Sequence, residues 1–116
     1  MKNSFACTLA TQIYRQSKKS DNPITWADAM SWAWLIVNKT EQVLTLVTFT
    51  KVKDGSICRR VVSESISTYY TPKGTGRPLK ENQVLFVDLG KYVVDGKSFL
   101  ISTYTDKIVS RVNLAA

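Results

Sequence analysis

The sequence predicts an α+β fold: two N-terminal helices followed by a small antiparallel β-barrel or strongly bent sheet of about five short strands. Three observations carry this. Apolar residues recur at helical spacing as far as residue 39. From residue 43 onward, β-branched and threonine-rich runs replace them. Asp-Gly pairs at Asp54-Gly55 and Asp95-Gly96 punctuate those runs where tight hairpins would turn.

The first helix is expected over residues 4–18. Phe5, Ala6, Leu9, Ala10, Ile13 and Tyr14 share one side of a helical wheel, and Thr8, Thr11, Gln12, Arg15 and Lys18 the other. A polar linker through Pro23 ends it, because proline cannot continue a helix. Thr25 is a good N-cap for a second helix, with Asp28 at the third helical position. Trp26, Ala29, Met30, Ala33, Trp34, Ile36 and Val37 form its broad apolar arc, which predicts packing on the sheet. Residues 43–52 and 57–63 read as a hairpin about Asp54-Gly55, and 84–89 as a third strand. Residues 92–94 and 97–103 read as a second hairpin about Asp95-Gly96, and 108–114 as a short closing strand or a single turn. This gives one domain, with residues 1–24 as helix and linker and 25–116 as helix plus barrel.

The chain has 116 residues, 44% hydrophobic and 22% charged, enough for one core. No apolar run approaches the roughly 18 residues of a membrane helix. Thr8, Thr11, Gln12 and Arg15 leave no apolar stretch after Met1-Lys2 of the kind a secretory signal needs. The expectation is a cytoplasmic protein without a membrane segment. Histidine is absent, which removes the commonest general base and metal ligand. Cys7 and Cys58 are expected as buried thiols in a reducing compartment, not as a disulfide framework. No metal and no cofactor is expected.

The net charge is +7, and it is segregated. Residues 1–24 carry Lys2, Arg15, Lys18 and Lys19 against Asp21, a net +3. Residues 59–80 carry Arg59, Arg60, Lys73, Arg77 and Lys80 against Glu64, a net +4. The rest of the chain is balanced. Such a distribution is a footprint for an anionic partner.

Three stretches resemble a family of small, uncharacterised proteins of Bacteroides-type bacteria and their phages and mobile elements, described as SH3-like β-barrels. They are the helix Trp26-Ala27-Asp28-Ala29-Met30-Ser31-Trp32-Ala33-Trp34, the hairpin Val47-Thr48-Phe49-Thr50-Lys51 with Asp54-Gly55-Ser56-Ile57, and the strands Phe86-Val87-Asp88-Leu89, Ser98-Phe99 and Val112-Asn113-Leu114. The resemblance implies an SH3-like barrel and a bacterial or phage-infected cell. It implies no activity, because such barrels host many functions.

Two constellations stand out against simpler explanations. Tyr69-Tyr70, Lys73, Arg77 and Lys80 interleave aromatics with cations in a long Gly- and Pro-containing connection, the pattern of base stacking plus phosphate contacts. The simpler explanation is a solvated loop. Arg59 and Arg60 project to opposite faces of a strand, one toward solvent and the other needing a carboxylate. Trp26 and Trp34 are expected to anchor the second helix, leaving Trp32 and Leu35 outside its apolar arc as a candidate protein contact. Asp28, Asp54 and Asp95 have structural explanations as cap and turn residues, and no carboxylate pair suits acid–base chemistry. The expected function is a non-enzymatic binding module, associated with nucleic acid through a basic surface of Arg59, Arg60, Tyr69, Tyr70, Lys73, Arg77 and Lys80. The alternative is a protein–protein module of a phage or mobile element, either an assembly component or an accessory protein directed at the host.

Overall fold

The computed structural model describes residues 2–39, 44–65, 80–96 and 99–114. Helix α1 spans Lys2–Lys18 and α2 Trp26–Val37. Strands β1 (Leu44–Thr50), β2 (Ile57–Ser63) and β3 (Gln83–Asp88) follow, then a short helix α3 (Leu89–Val94), then β4 (Leu100–Tyr104) and β5 (Ile108–Leu114). The strands form one antiparallel sheet in the order β4-β3-β2-β1-β5. It is open, with β4 and β5 as edges, and does not close into a barrel.

The sheet is nonetheless strongly curled. A single 3-10 turn, Thr105–Lys107, joins its two opposite edges. Five flat strands would put those edges about 19 Å apart at about 4.8 Å per strand. So short a link reaches about 13 Å at most. Arg111 of β5 also lies over the Phe86 ring of β3, at 5.3 Å, although two strands separate them. On β5, Val109 is an extra residue between the pairs Phe49–Ile108 and Thr48–Ser110, a bulge that helps the edge turn.

Both faces of the sheet carry a core. Leu44, Leu46, Val61 and Val87 join Phe5, Leu9 and Ile13 of α1 and Ala29, Ala33 and Val37 of α2 in one cluster. On the concave face Val47, Phe49, Cys58, Val62 and Phe86 form a second. β1 is therefore buried on both sides, as its continuous apolar and threonine run anticipates.

Helix α1 is covered by its own chain: Phe5, Ala6, Leu9, Ala10 and Ile13 are fully buried. α2 packs chiefly on α1 and not, as its apolar arc suggested, on the sheet. Alanines at positions 6, 10, 29 and 33 keep the two helices close. Thr25 caps α2 as expected, its hydroxyl accepting from the Asp28 amide. Trp34 is half-buried against the core, but Trp26 is 45% exposed. It occupies the first position of the helix, beyond the core, and meets the edge of Tyr14 at 5.6 Å. Cys7 is exposed on the outer side of α1 rather than buried, Cys58 is buried, and both are free thiols.

The first hairpin turns where expected. Gly55 has φ +73°, and Asp54 accepts from both the amide and the hydroxyl of Ser56. The second expected hairpin is absent: residues 92–94 belong to α3. Asp88 N-caps that helix, accepting from the Lys91 amide, and Gly96 at φ +65° ends it by donating back to the Lys91 carbonyl. The Asp95-Gly96 pair thus serves as a left-handed helix stop rather than a strand turn.

Candidate functional site

The site arises where the sheet splits. β2 and β3 pair only through Val62–Asp88 and Ser63–Val87. A continuing β3 would place Leu89 opposite Val61 and Lys91 opposite Arg59. Instead, capping by Asp88 turns the chain into α3, and among the described residues no strand takes its place along the edge of β2 from Ile57 to Val61. Gln12 of α1 takes the missing place. Its Oε1 accepts from the Val61 amide at 2.6 Å, and its Nε2 donates to the Val61 carbonyl at 3.2 Å. Nε2 also donates to Asp88 Oδ1 at 2.9 Å. One buried side-chain amide therefore imitates a neighbouring strand for one residue. Gly90 permits this approach: a Cβ there would lie 2.5 Å from the Gln12 Cβ.

Below Val61 the edge opens into a cleft of about 710 Å³ between α1 and the β1–β2 hairpin. Thr8, Thr11, Gln12, Arg15 and Gln16 line it from α1, Lys19 from the turn just after it, and Lys51, Ile57, Arg59 and Arg60 from the hairpin. Lys91 and Asp88 lie toward the split, and Phe49, Cys58 and Ile101 supply the apolar part. Backbone groups along a strand alternate in direction, so the Arg59 peptide points the same way as that of Val61, into the opening.

Six cations and one carboxylate line this cleft. The carboxylate, Asp88, is 2% exposed, and its Oδ2 lies 3.6 Å from Arg60 Nε. Arg60 also donates to the Arg59 carbonyl at 2.8 Å. Among the described residues, the other ion pair is Arg111–Glu64, away from the cleft. Among the described residues Arg15, Lys19, Lys51, Arg59 and Lys91 thus line the opening without forming an ion pair, although Lys51 lies near enough to Asp54 to help hold its carboxyl down.

Of the residues singled out in the sequence, Arg59 and Arg60 come together here, divided as expected into a solvent-facing cation and a paired one. Lys80 is exposed at the far end of β3 from Asp88, about 17 Å of strand away. It does not line the cleft. Tyr69, Tyr70, Lys73 and Arg77 lie outside the described residues. Trp32 and Leu35 are 38% and 66% exposed on the outer side of α2. Sequence reasoning missed Arg15, Lys19, Lys51 and Lys91. For the first two a signal existed: Thr8, Thr11, Arg15 and Lys19 fall on one polar face at spacings of three and four. Lys18 is a separate matter, its ammonium lying over the Tyr14 ring at 4.4 Å.

Among the described residues no group of three or more His, Cys, Asp or Glu side chains is placed to hold a metal ion, and no helix is long and apolar enough to cross a membrane. Comparison with family models, curated proteins and solved structures finds no match for this chain.

Proposed function

We propose that this protein is a non-enzymatic binding module for nucleic acid, which it holds by its phosphates in the basic cleft at the sheet split. The observation that carries the reading is the charge imbalance of the cleft: six cations against one carboxylate, itself buried and paired. Unpaired cations lining a recess raise the local concentration of a polyanion and release its counterions on binding. The SH3-like reading of the fold belongs to the same proposal, supported by the corner at Thr105–Lys107 that brings opposite sheet edges together.

The test is binding of random-sequence DNA and RNA at about 50 and 200 mM salt, where phosphate-driven affinity falls by orders of magnitude. Changing Lys51, Arg59 and Lys91 together to Ser should weaken binding equally for all sequences. It should also flatten the salt dependence by about one unit of slope for each phosphate no longer held. The same change at Lys73, Arg77 and Lys80 asks whether the 66–79 segment extends the surface. No binding by the parent at low salt overturns the proposal.

A second reading, a protein–protein module, rests on Trp32 and Leu35, three residues apart and exposed on the outer side of α2. It predicts that light scattering or partner capture, and not nucleic-acid binding, responds to changing both to Ser.

A further inference from the structure

We infer that the free edge of β2 accepts an extended peptide as an added antiparallel strand, and that the peptide it takes alternates acidic with apolar residues. The inference goes beyond the nucleic-acid reading and does not rest on it. It follows from the backbone of β2, and the two ligands would exclude one another from the cleft.

Val61 points both its N–H and its C=O to the side on which β3 lies, where Gln12 meets them. Peptide groups alternate in direction along a strand, so those of Arg59 and Ile57 point the same way. Side chains cover only part of this row. Arg60 Nη1 donates to the Arg59 carbonyl at 2.8 Å, but among the described residues nothing accepts from the Arg59 amide. A carbonyl oxygen has two lone pairs, so the Arg60 bond leaves a place for a second donor. Unpaired groups along a strand edge are the template on which an extended peptide adds.

The cleft lies where that strand would lie, because its lining comes from both faces of the sheet. Val61 packs in the cluster beneath α1, so Arg59, two residues away, presents its side chain to the α1 face, toward Arg15. Cys58, Phe49 and Ile101 pack in the core of the concave face and border the same cleft. An opening bordered from both faces sits in the plane of the sheet, in the row that β3 leaves at Asp88.

An added strand turns alternate side chains to each face, and the two faces differ in chemistry. On the α1 face Arg15 and Arg59 form no ion pair among the described residues. On the concave face the border is apolar, and its cation, Arg60, is held by Asp88. Peptide residues that face α1 are therefore acidic, and those that face the concave core apolar. The edge from Ile57 to Arg60 is about 13 Å long, room for about four residues. All strand pairs described in this sheet are antiparallel. In that sense the acidic residues stand opposite Arg59 and Ile57, and their own N–H groups point at β2.

The experiment uses a fluorescein-labelled peptide of four glutamates alternating with four valines, bound to the full chain and followed by anisotropy at about 50 mM salt. N-methylation of the glutamates should weaken binding about 10-fold or more, while N-methylation of the valines leaves it within about 3-fold. The same residues arranged as two blocks should also bind about 10-fold more weakly. Amide exchange should slow at Arg59 and Ile57 when the alternating peptide is bound. An equal or larger effect of methylating the valines overturns the inference, as does unchanged exchange at Arg59. Block and alternating peptides bound equally well also overturn it; the cleft then takes any polyanion, and the nucleic-acid reading stands. Failure of nucleic acid to bind, with the alternating peptide bound as predicted, overturns that reading and leaves this inference in place.

Discussion

Replacing Gln12 by alanine removes the joint that lets the sheet split without leaving backbone groups unsatisfied. Alanine keeps the Cβ that packs on Gly90, so the change isolates the hydrogen bonds. Two of these, to the amide and carbonyl of Val61, are neutral and worth about 1 kcal/mol each. The third, to the Asp88 carboxylate, is worth about 2 kcal/mol. Gln12 and Asp88 border the cleft, so water recovers part of this sum, and the predicted loss is about 2–4 kcal/mol. That is a large share of the roughly 5–15 kcal/mol that holds a small domain together, and corresponds to a fall in Tm of roughly 10 °C. Urea unfolding measures the loss, and amide exchange locates it: the Val61 N–H, slow in the parent, should become one of the faster strand amides. Gln12→Glu keeps the shape but loses both donated bonds and sets a second carboxylate beside Asp88. It should be worse than alanine at pH 7 and recover as falling pH protonates the new carboxyl. A Gln12→Ala protein within 1 kcal/mol of the parent, with Val61 still protected, would refute the reasoning.

Other outcomes follow from the same contacts. Gly90→Ala forces a Cβ against the Gln12 Cβ and its backbone carbon, at 2.5 and 3.1 Å, and should cost about 1–3 kcal/mol by urea unfolding; a neutral result would mean that α1 and α3 are not so close. Phe86→Ala should cost about 3–5 kcal/mol, since the ring is fully buried under Arg111. Trp26→Ala, at 45% exposure and with an edge contact to Tyr14, should cost only about 1 kcal/mol. The hydroxyl and then the amide of Ser56 hold the Asp54 carboxyl below its ordinary pKa. Its contribution is therefore present above the ordinary carboxylate range and lost as pH falls through the lowered value. Asp54→Asn should lower the Tm at pH 7, and the difference from the parent should shrink toward pH 2.

Much of the fold is legible in the sequence because local chemistry decides it. Thr25 and Asp28 begin α2, Asp54-Gly55 sets the first hairpin, and the Phe5-Leu9-Ile13 stripe marks α1. The failures have specific causes. Asp95-Gly96 satisfies both a hairpin turn and a helix stop, since each needs a left-handed glycine. The choice was made upstream by Asp88, whose carboxylate caps α3 and so ends β3 early. The width of the α2 arc cannot say whether the partner is a sheet or another helix. Trp26 looked buried by type but stands at a helix start beyond the core. The site was half legible. Arg59 and Arg60 are adjacent in sequence and drew attention as a pair. Lys51 and Lys91 reach the same cleft only because the sheet splits, a consequence of Gln12, Gly90 and Asp88 acting together across 76 residues of separation.

The central claim is that the opening left by β3 along β2 is the binding surface. The most direct measurement is a backbone amide map of the protein titrated with an unlabelled 12-nucleotide single strand at low salt. The account predicts shifts confined to Ile57–Val61, the Thr8–Gln16 face of α1, Lys19, Lys51 and Lys91, with the outer side of α2 around Trp32 and Leu35 unmoved. Shifts centred on α2 or on β5, with the cleft amides silent, would contradict it.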